Sequence, residues 1–328
     1  MLSETAVVNA YRLILGRDPE SPEVVAYHRS HPDEAVLRKT LLSSPEFAAL
    51  YDQLGDAELK LNSDRDALPP AARVEVEAQG EAGATLWARV AKSWTEMGQS
   101  VPHWSVLTFD QFRPEALEEN RAVFENSAEI DGRLVDAALE RFAGGSSPAK
   151  AKTPAQATCL EIGCGVGRAT RALARRFGKV VGVDISSAHL AVADQELKRA
   201  GFRNVALRHM ARIEDYETLP QVDFLYSRIV LQHNPPPVQA AILRTALSRL
   251  APGGIALFQV VTYARDYAYD VASDLARQGG MEMHVLPQAT VFAILDDSGV
   301  VPVEVQEDDA AGDDERFRSH LFLAQKRG

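Results

Sequence analysis

From Ala157 onward the chain predicts an α/β fold: a seven-stranded, mostly parallel sheet with an antiparallel terminal strand, preceded by a helical N-terminal region. Three observations carry this expectation. Short apolar runs alternate with helical patterns, as parallel strands joined by crossover helices require. A glycine run, in CLEIGCGVGR from Cys159 to Arg168, falls between an apolar run and a helix-forming run. The last two apolar runs are separated only by the acidic EDDAAGDDER, Glu307 to Arg316, which suits antiparallel neighbours rather than a crossover.

Taken in order, residues 1–60 alternate helical patterns with Pro-centred turns and predict a small helical domain. LNSDRDALPP, Leu61 to Pro70, interrupts the pattern and marks a hinge, so that 61–142 reads as linker plus a mainly helical region. AGGSSPAKAKTP supplies a Gly-, Ser- and Pro-rich linker within 143–156, and 157–328 forms the glycine-loop domain. Its expected strands are Ala157–Ile162, Val180–Ile185, Val205–Met210, Val222–Ile229, Ile255–Thr262, Val301–Gln306 and His320–Gln325. A helix and a Pro-Gly-Gly turn at Gly253 and Gly254 are expected to lead into the fifth. Arg168, Arg171 and Arg175, at helical spacing, predict a solvated face.

Composition narrows the function. With 328 residues and 46% hydrophobic content the chain can build real cores. A net charge of −11 argues against non-specific nucleic-acid binding by the whole chain. The only two cysteines, Cys159 and Cys164, suggest neither a disulfide framework nor a zinc site, and no metal is expected. No signal peptide is apparent near Met1, and no run approaches the ~18 apolar residues of a spanning helix. The expectation is a cytoplasmic protein.

The glycines give the chemistry its first outline. At a strand-to-helix turn a glycine can take positive φ and lets a ligand approach the backbone. A dinucleotide fingerprint needs its third glycine three residues after the second, where this chain has Arg168; the third glycine is instead Gly167. Downstream, KVVGVDI places Asp184 close to the ~20 residues at which a carboxylate meets ribose hydroxyls. Asp184 can alternatively cap the helix opening near Ser186 and Ser187.

With Glu161 ahead of the loop, GCGVG resembles motif I of the Rossmann-like S-adenosylmethionine (SAM) methyltransferases. The resemblance implies SAM as cofactor, S-adenosylhomocysteine as product, and a cofactor site of Glu161, Gly163, Gly165, Gly167 and Asp184. It further implies Ile185 packing on adenine and Ser227 at the fourth strand's end; the acid that meets the adenine amino group in the family has Glu214 or Asp215 as late-lying counterparts here, with a backbone contact near Ala211, Arg212 and Ile213 as the alternative. VDFLYSRIVLQHNPPP, Val222 to Pro237, resembles the family's motif IV and puts Arg228 and His233 forward as catalytic candidates. Methyl transfer to a hydroxyl needs a proton removed as the oxygen attacks, and imidazole titrates in the right range; alternatively His233 caps the turn before the prolines. Gln232, Tyr263, His284 and, in a lid over the pocket formed by Met97 to Phe112, His103 and Trp104 are the substrate candidates; His209, ending the third strand near the expected adenine edge, and His284 are also weaker alternatives to His233.

AYRLILGRDPESPEVVAYH with LLSSPEFAALY is similar to a small bacterial helical domain that accompanies enzymes of glycan assembly, matching at Gly16, Arg17, Pro19, Ser44, Glu46 and Phe47. The expectation from both resemblances is a SAM-dependent methyltransferase acting on a sugar hydroxyl of a glycan or glycolipid intermediate. The alternatives are N- or C-methylation of a natural product or lipid, and a SAM-binding module without turnover. The expected partners are a small-molecule or glycan acceptor, no nucleic acid and no membrane span, with the N-terminal helices serving self-association or docking.

Overall fold

The computed structural model describes residues 2–50, 73–78, 80–143, 153–277, 280–311 and 316–328. The expected hinge at 61–70 lies outside these residues, as do most of the 143–156 linker and part of the acidic 307–316 loop. The chain divides into two compact units, Met1–Ala71 and Ala72–Gly328.

The first unit holds α1 (Glu4–Leu15), α2 (Pro22–Arg29) and α3 (Glu34–Leu42). Ser3, Ser21 and Asp33 cap their N-termini by accepting from backbone N–H groups. Gly16, at φ 69°, ends α1 before Asp18 and Pro19 are reached. Val7, Tyr11, Leu15, Leu37 and Leu41 form the core, with Phe47 and Leu50 packed against it. The Arg17 guanidinium donates to Glu46 through Nη2 at 2.6 Å, so two of the motif residues hold this unit together.

The second unit opens with α4 (Glu81–Ser100), α5 (Pro102–Val106), α6 (Leu117–Asn126) and α7 (Glu129–Ala143). The alternating part follows: β1 (Thr158–Ile162), α8 (Arg168–Ala174), β2 (Lys179–Asp184), α9 (Ser187–Arg199), β3 (Val205–His209), β4 (Val222–Ser227), α10 (Pro236–Ser248) and β5 (Leu250–Ala264). It closes with α11 (Val271–Leu275), α12 (Gln288–Asp297), β6 (Val300–Asp308) and β7 (Phe317–Lys326). The seven strands run in the order β3-β2-β1-β4-β5-β7-β6. All neighbours from β3 to β5 are parallel, and β7 inserts antiparallel between β5 and β6. The predicted fold class is the observed one.

Both faces of the sheet are covered, which is why its central strands read as continuous apolar runs. Leu160, Ile162, Val181 and Val183 join a cluster with Leu86 and Trp87 of α4 and Leu243 and Leu247 of α10. Cys159, Val180 and Phe224 point the other way, onto Val135 of α7 and Leu173 of α8. Helices far upstream of the sheet therefore form part of its two covering layers.

Two expectations need correction. The Pro-Gly-Gly segment is not a turn ahead of β5 but an irregularity inside it: pairing jumps from Val222↔Leu250 to Phe224↔Ile255, and Gly253 takes φ 78° in between. The arginines of α8 do not form a solvated face. Arg168 and Arg171 are buried because acids from other helices reach them, Asp131 at 2.6 Å and Glu125 and Glu196 at 3.1 Å; only Arg175 is exposed, paired with Glu129.

Candidate active site

A cavity of about 520 Å³ opens at the C-terminal ends of β1, β2 and β4, where ligands of open parallel sheets bind. Its floor is the glycine loop. Gly163, Gly165 and Gly167 all have positive φ, at 70°, 52° and 82°. The first two are also packed too closely for a side chain: a Cβ on Gly163 would lie 2.3 Å from Val230 Cγ1, and one on Gly165 would lie 2.8 Å from Val106 Cγ2. Gly167 serves as N-cap of α8 and faces Leu197, away from the cavity lining.

Asp184 ends β2 and lines the cavity. Its Oδ2 accepts from Gly165 N and its Oδ1 from Ser186 N, both at 2.8 Å. A carboxylate has about four acceptor positions, so each oxygen keeps one for a ligand hydroxyl. The cap of α9 is Ser186, which accepts from His189 N. Ile185, Tyr216 and Trp87 supply apolar wall beside it. Ala211, Arg212 and Ile213 do not line the cavity; the first two are exposed, and the Arg212 backbone N–H donates to Asp215.

Glu161 is buried at the end of β1 and accepts from Thr170 Oγ1 at 2.6 Å. Burial pushes its carboxyl up to about 8, against the Thr170 hydrogen bond and with the help of the negative Asp131. Ser227 is also buried, but its hydroxyl faces the Ile162 carbonyl on the neighbouring strand and not the cavity.

The turn after β4 contributes Arg228, Gln232 and His233 to the lining. Ile229 takes φ 58°, a strained value for a β-branched residue, and its N–H is held by Gln259 Oε1 at 2.8 Å. Gln259 in turn donates to Ser319 of β7 at 2.5 Å. Gln232 is 1% exposed, and its Oε1 is buried without a hydrogen-bond partner among the described residues. His233 Nδ1 donates to the Glu282 carbonyl at 3.1 Å, which leaves the lone pair on Nε2. Burial lowers the pKa of this imidazole, and Trp94 stands edge-on to it at 5.5 Å.

Residues Ser105 to Phe109 cross the other side of the cavity, so part of the expected lid segment does border the pocket. The two lid residues singled out in sequence do not. His103 is buried against Glu196, with Nε2 2.9 Å from Oε1, and Trp104 lies under the Arg113 guanidinium at 4.6 Å. Tyr263 is 55% exposed on β5, outside the lining. His284 is tied to Tyr267 at 3.0 Å and is held down to about 4 by burial, also outside the main cavity. His209 is exposed, with Nε2 beside the Ile185 carbonyl. Among the described residues there is no cluster of acids, histidines and cysteines suited to a metal. Both cysteines are free and buried.

Sequence reasoning missed Trp87, Trp94, Tyr216 and Asp131. Asp131, on α7, accepts from Arg168 and from Tyr226 Oη, the latter at 2.5 Å, and its only sequence signal was an acid in a helical pattern. No helix among the described residues is long and apolar enough to cross a membrane.

Residues 159–254 match the family model described as "Methyltransferase domain". A trans-aconitate 2-methyltransferase of Variovorax paradoxus is 35% identical over 114 residues, 34% of this chain and 41% of that protein. A ubiquinone biosynthesis O-methyltransferase of Stutzerimonas stutzeri is 31% identical over 106 residues, 31% of this chain and 43% of that protein. The matches thus span about two-fifths of these curated relatives' length. The magnesium protoporphyrin IX methyltransferase of Synechocystis, solved with S-adenosylhomocysteine, aligns over 74% of this chain and 99% of that one, at 16% identity and a TM-score of 0.49. The 159–254 segment is a methyltransferase domain, the kind of domain that takes SAM as its cofactor.

Proposed function

We propose that the whole chain is a SAM-dependent methyltransferase that O-methylates a small hydroxyl-bearing acceptor. The observation that carries this reading is Asp184, which braces the glycine loop through Gly165 while keeping acceptor capacity on both oxygens toward the cavity. Ribose hydroxyls suit that carboxylate, and adenine suits the apolar wall of Ile185, Tyr216 and Trp87. Bound here, SAM supplies an electrophilic methyl on a sulfonium.

The chain's own residues then have distinct tasks. His233, neutral and with its Nε2 lone pair free, takes the acceptor proton as the oxygen attacks. Trp94 and Val106 line the cavity with apolar surface, which would limit water at the attacking group. A sugar or glycan intermediate is our preferred acceptor class, supported by the N-terminal motif residues Gly16, Arg17, Pro19, Ser44, Glu46 and Phe47. Labelled SAM offered with fractionated bacterial extract tests the reading. Label should enter a carbohydrate fraction and be lost with Asp184→Ala. Label entering only a non-carbohydrate fraction replaces the acceptor class, and the absence of both transfer and SAM binding removes the function.

A further inference from the structure

Among the described residues, Arg228 is the one cavity-lining arginine whose charge is not answered by a hydrogen-bonded acid. Its side chain is 15% exposed, and its sole ionic neighbour among the described residues is Asp131 Oδ1, at 3.9 Å. That carboxylate is already committed: Arg168 donates to its Oδ2 at 2.6 Å and Tyr226 to its Oδ1 at 2.5 Å. No hydrogen bond of the Arg228 guanidinium to any described residue is present, although the group carries five donors in a planar fork. Two arginines therefore share one acid at this end of the cavity. Glu161, close by, does not restore the balance, since burial keeps it protonated near neutral pH.

The backbone argues that this placement is specific. Arg228 immediately precedes Ile229, whose left-handed φ of 58° is maintained by the buried Gln259. Strain held by a buried brace at a ligand-lining turn is a mark of a positioned group. The neighbouring Gln232, with its unpartnered and buried Oε1, shows that the same turn presents a second incomplete polar group.

We propose that Arg228 is the anchor of a carboxylate-binding subsite, completed by a carboxylate carried on a ligand in the cavity. A guanidinium fork and a carboxylate match in geometry and form paired charge-assisted hydrogen bonds. The carboxylate comes from one of two sources, the amino-acid part of the cofactor or an acid group on the acceptor. The identity of the first source rests on the methyltransferase reading; the anion preference does not.

Calorimetry on the full chain separates these. Wild type, Arg228→Gln and Arg228→Lys are titrated with S-adenosylhomocysteine, with 5′-methylthioadenosine, which lacks the amino-acid part, and with succinate and benzoate in the presence and absence of S-adenosylhomocysteine. If the cofactor supplies the carboxylate, Arg228→Gln weakens S-adenosylhomocysteine by about 10- to 100-fold and leaves 5′-methylthioadenosine unchanged. If the acceptor supplies it, S-adenosylhomocysteine is unchanged and binding of succinate or benzoate is lost. Arg228→Lys keeps the charge without the fork and falls between; it also carries the test should Arg228→Gln not fold. Equal binding of every probe by wild type and both variants overturns the subsite. Wild type that binds neither nucleoside but loses carboxylate binding on substitution overturns the methyltransferase reading and leaves the subsite standing.

Discussion

Gly163→Ala tests whether the glycine loop is shaped by the protein's own packing as well as by a ligand. The alanine inherits φ 70°, which costs an L-residue about 1–2 kcal/mol. Its Cβ also falls 2.3 and 2.5 Å from the two γ-carbons of Val230, and relieving such an overlap costs a further ~1–3 kcal/mol. The expected loss is about 2–5 kcal/mol in chemical denaturation. Gly201→Ala is the internal control, because Gly201 has φ 83° and nothing within 4 Å of the added Cβ, so it pays only the backbone cost. Val230→Ala supplies the other half of a double-mutant cycle. It removes the colliding methyls, so the double variant should be more stable than the sum of the single losses by about 1–3 kcal/mol. Gly163→Ala no more costly than Gly201→Ala, or a coupling near zero, would refute the packing argument.

Three further outcomes follow from the charges. His233→Gln should reduce kcat by about 10²–10⁴ with S-adenosylhomocysteine binding retained; because burial lowers the imidazole pKa, the wild-type rate should be level at neutral pH and fall only on the acid side of ~6.5, and an acid limb above pH 7 would contradict the assignment. Arg168→Met should cost about 3–5 kcal/mol in a denaturant midpoint, since it strips Asp131 of its closest cation, and pairing it with Asp131→Asn should recover part of the loss. Glu196 desolvates on folding, but His103, Arg171 and Arg121 outweigh that and hold it down to about 2. Its stabilisation is therefore complete above its ordinary 4.5 and lost as pH falls through about 2; the span corresponds to roughly 3 kcal/mol. Glu196→Gln should flatten the acid-unfolding curve over that window, and an unchanged curve would count against it.

The parts of this molecule that could be read from sequence are those whose cause is local. β1, β2 and β4 were legible because burial on both faces forces continuous apolar runs, and the glycine loop because its conformation needs glycines at fixed spacing. Asp184 and His233 were singled out on the same kind of local ground, and both line the cavity. Misreadings occurred where the deciding partner lies far along the chain. Helical spacing alone makes Arg168 a surface residue; Asp131, 37 positions earlier, makes it a buried one. His103 looked like a ligand-facing lid residue until Glu196, 93 positions away, accounted for its ring. The start of β5 failed for a different reason: Pro-Gly-Gly is turn chemistry, and here the sheet absorbs it as an irregularity opposite Val222 and Phe224.

The inserted strand β7 has a part in the site as well as in the fold. Ile229 would not keep φ 58° unaided, since the backbone cost is about 1–2 kcal/mol and a relaxed turn would redirect both Arg228 and the residues after it. Gln259 on β5 offsets that cost by accepting from the Ile229 N–H, and it is itself fixed because its amide donates to Ser319 on β7. Both Gln259 and Ser319 are almost wholly buried, so neither bond is readily exchanged for water. A register slip of one residue between β5 and β7 would turn Ser319 to the opposite face and release the brace. The antiparallel pairing that identifies the sheet is thus also what aims the turn carrying Arg228, Gln232 and His233 at the cavity.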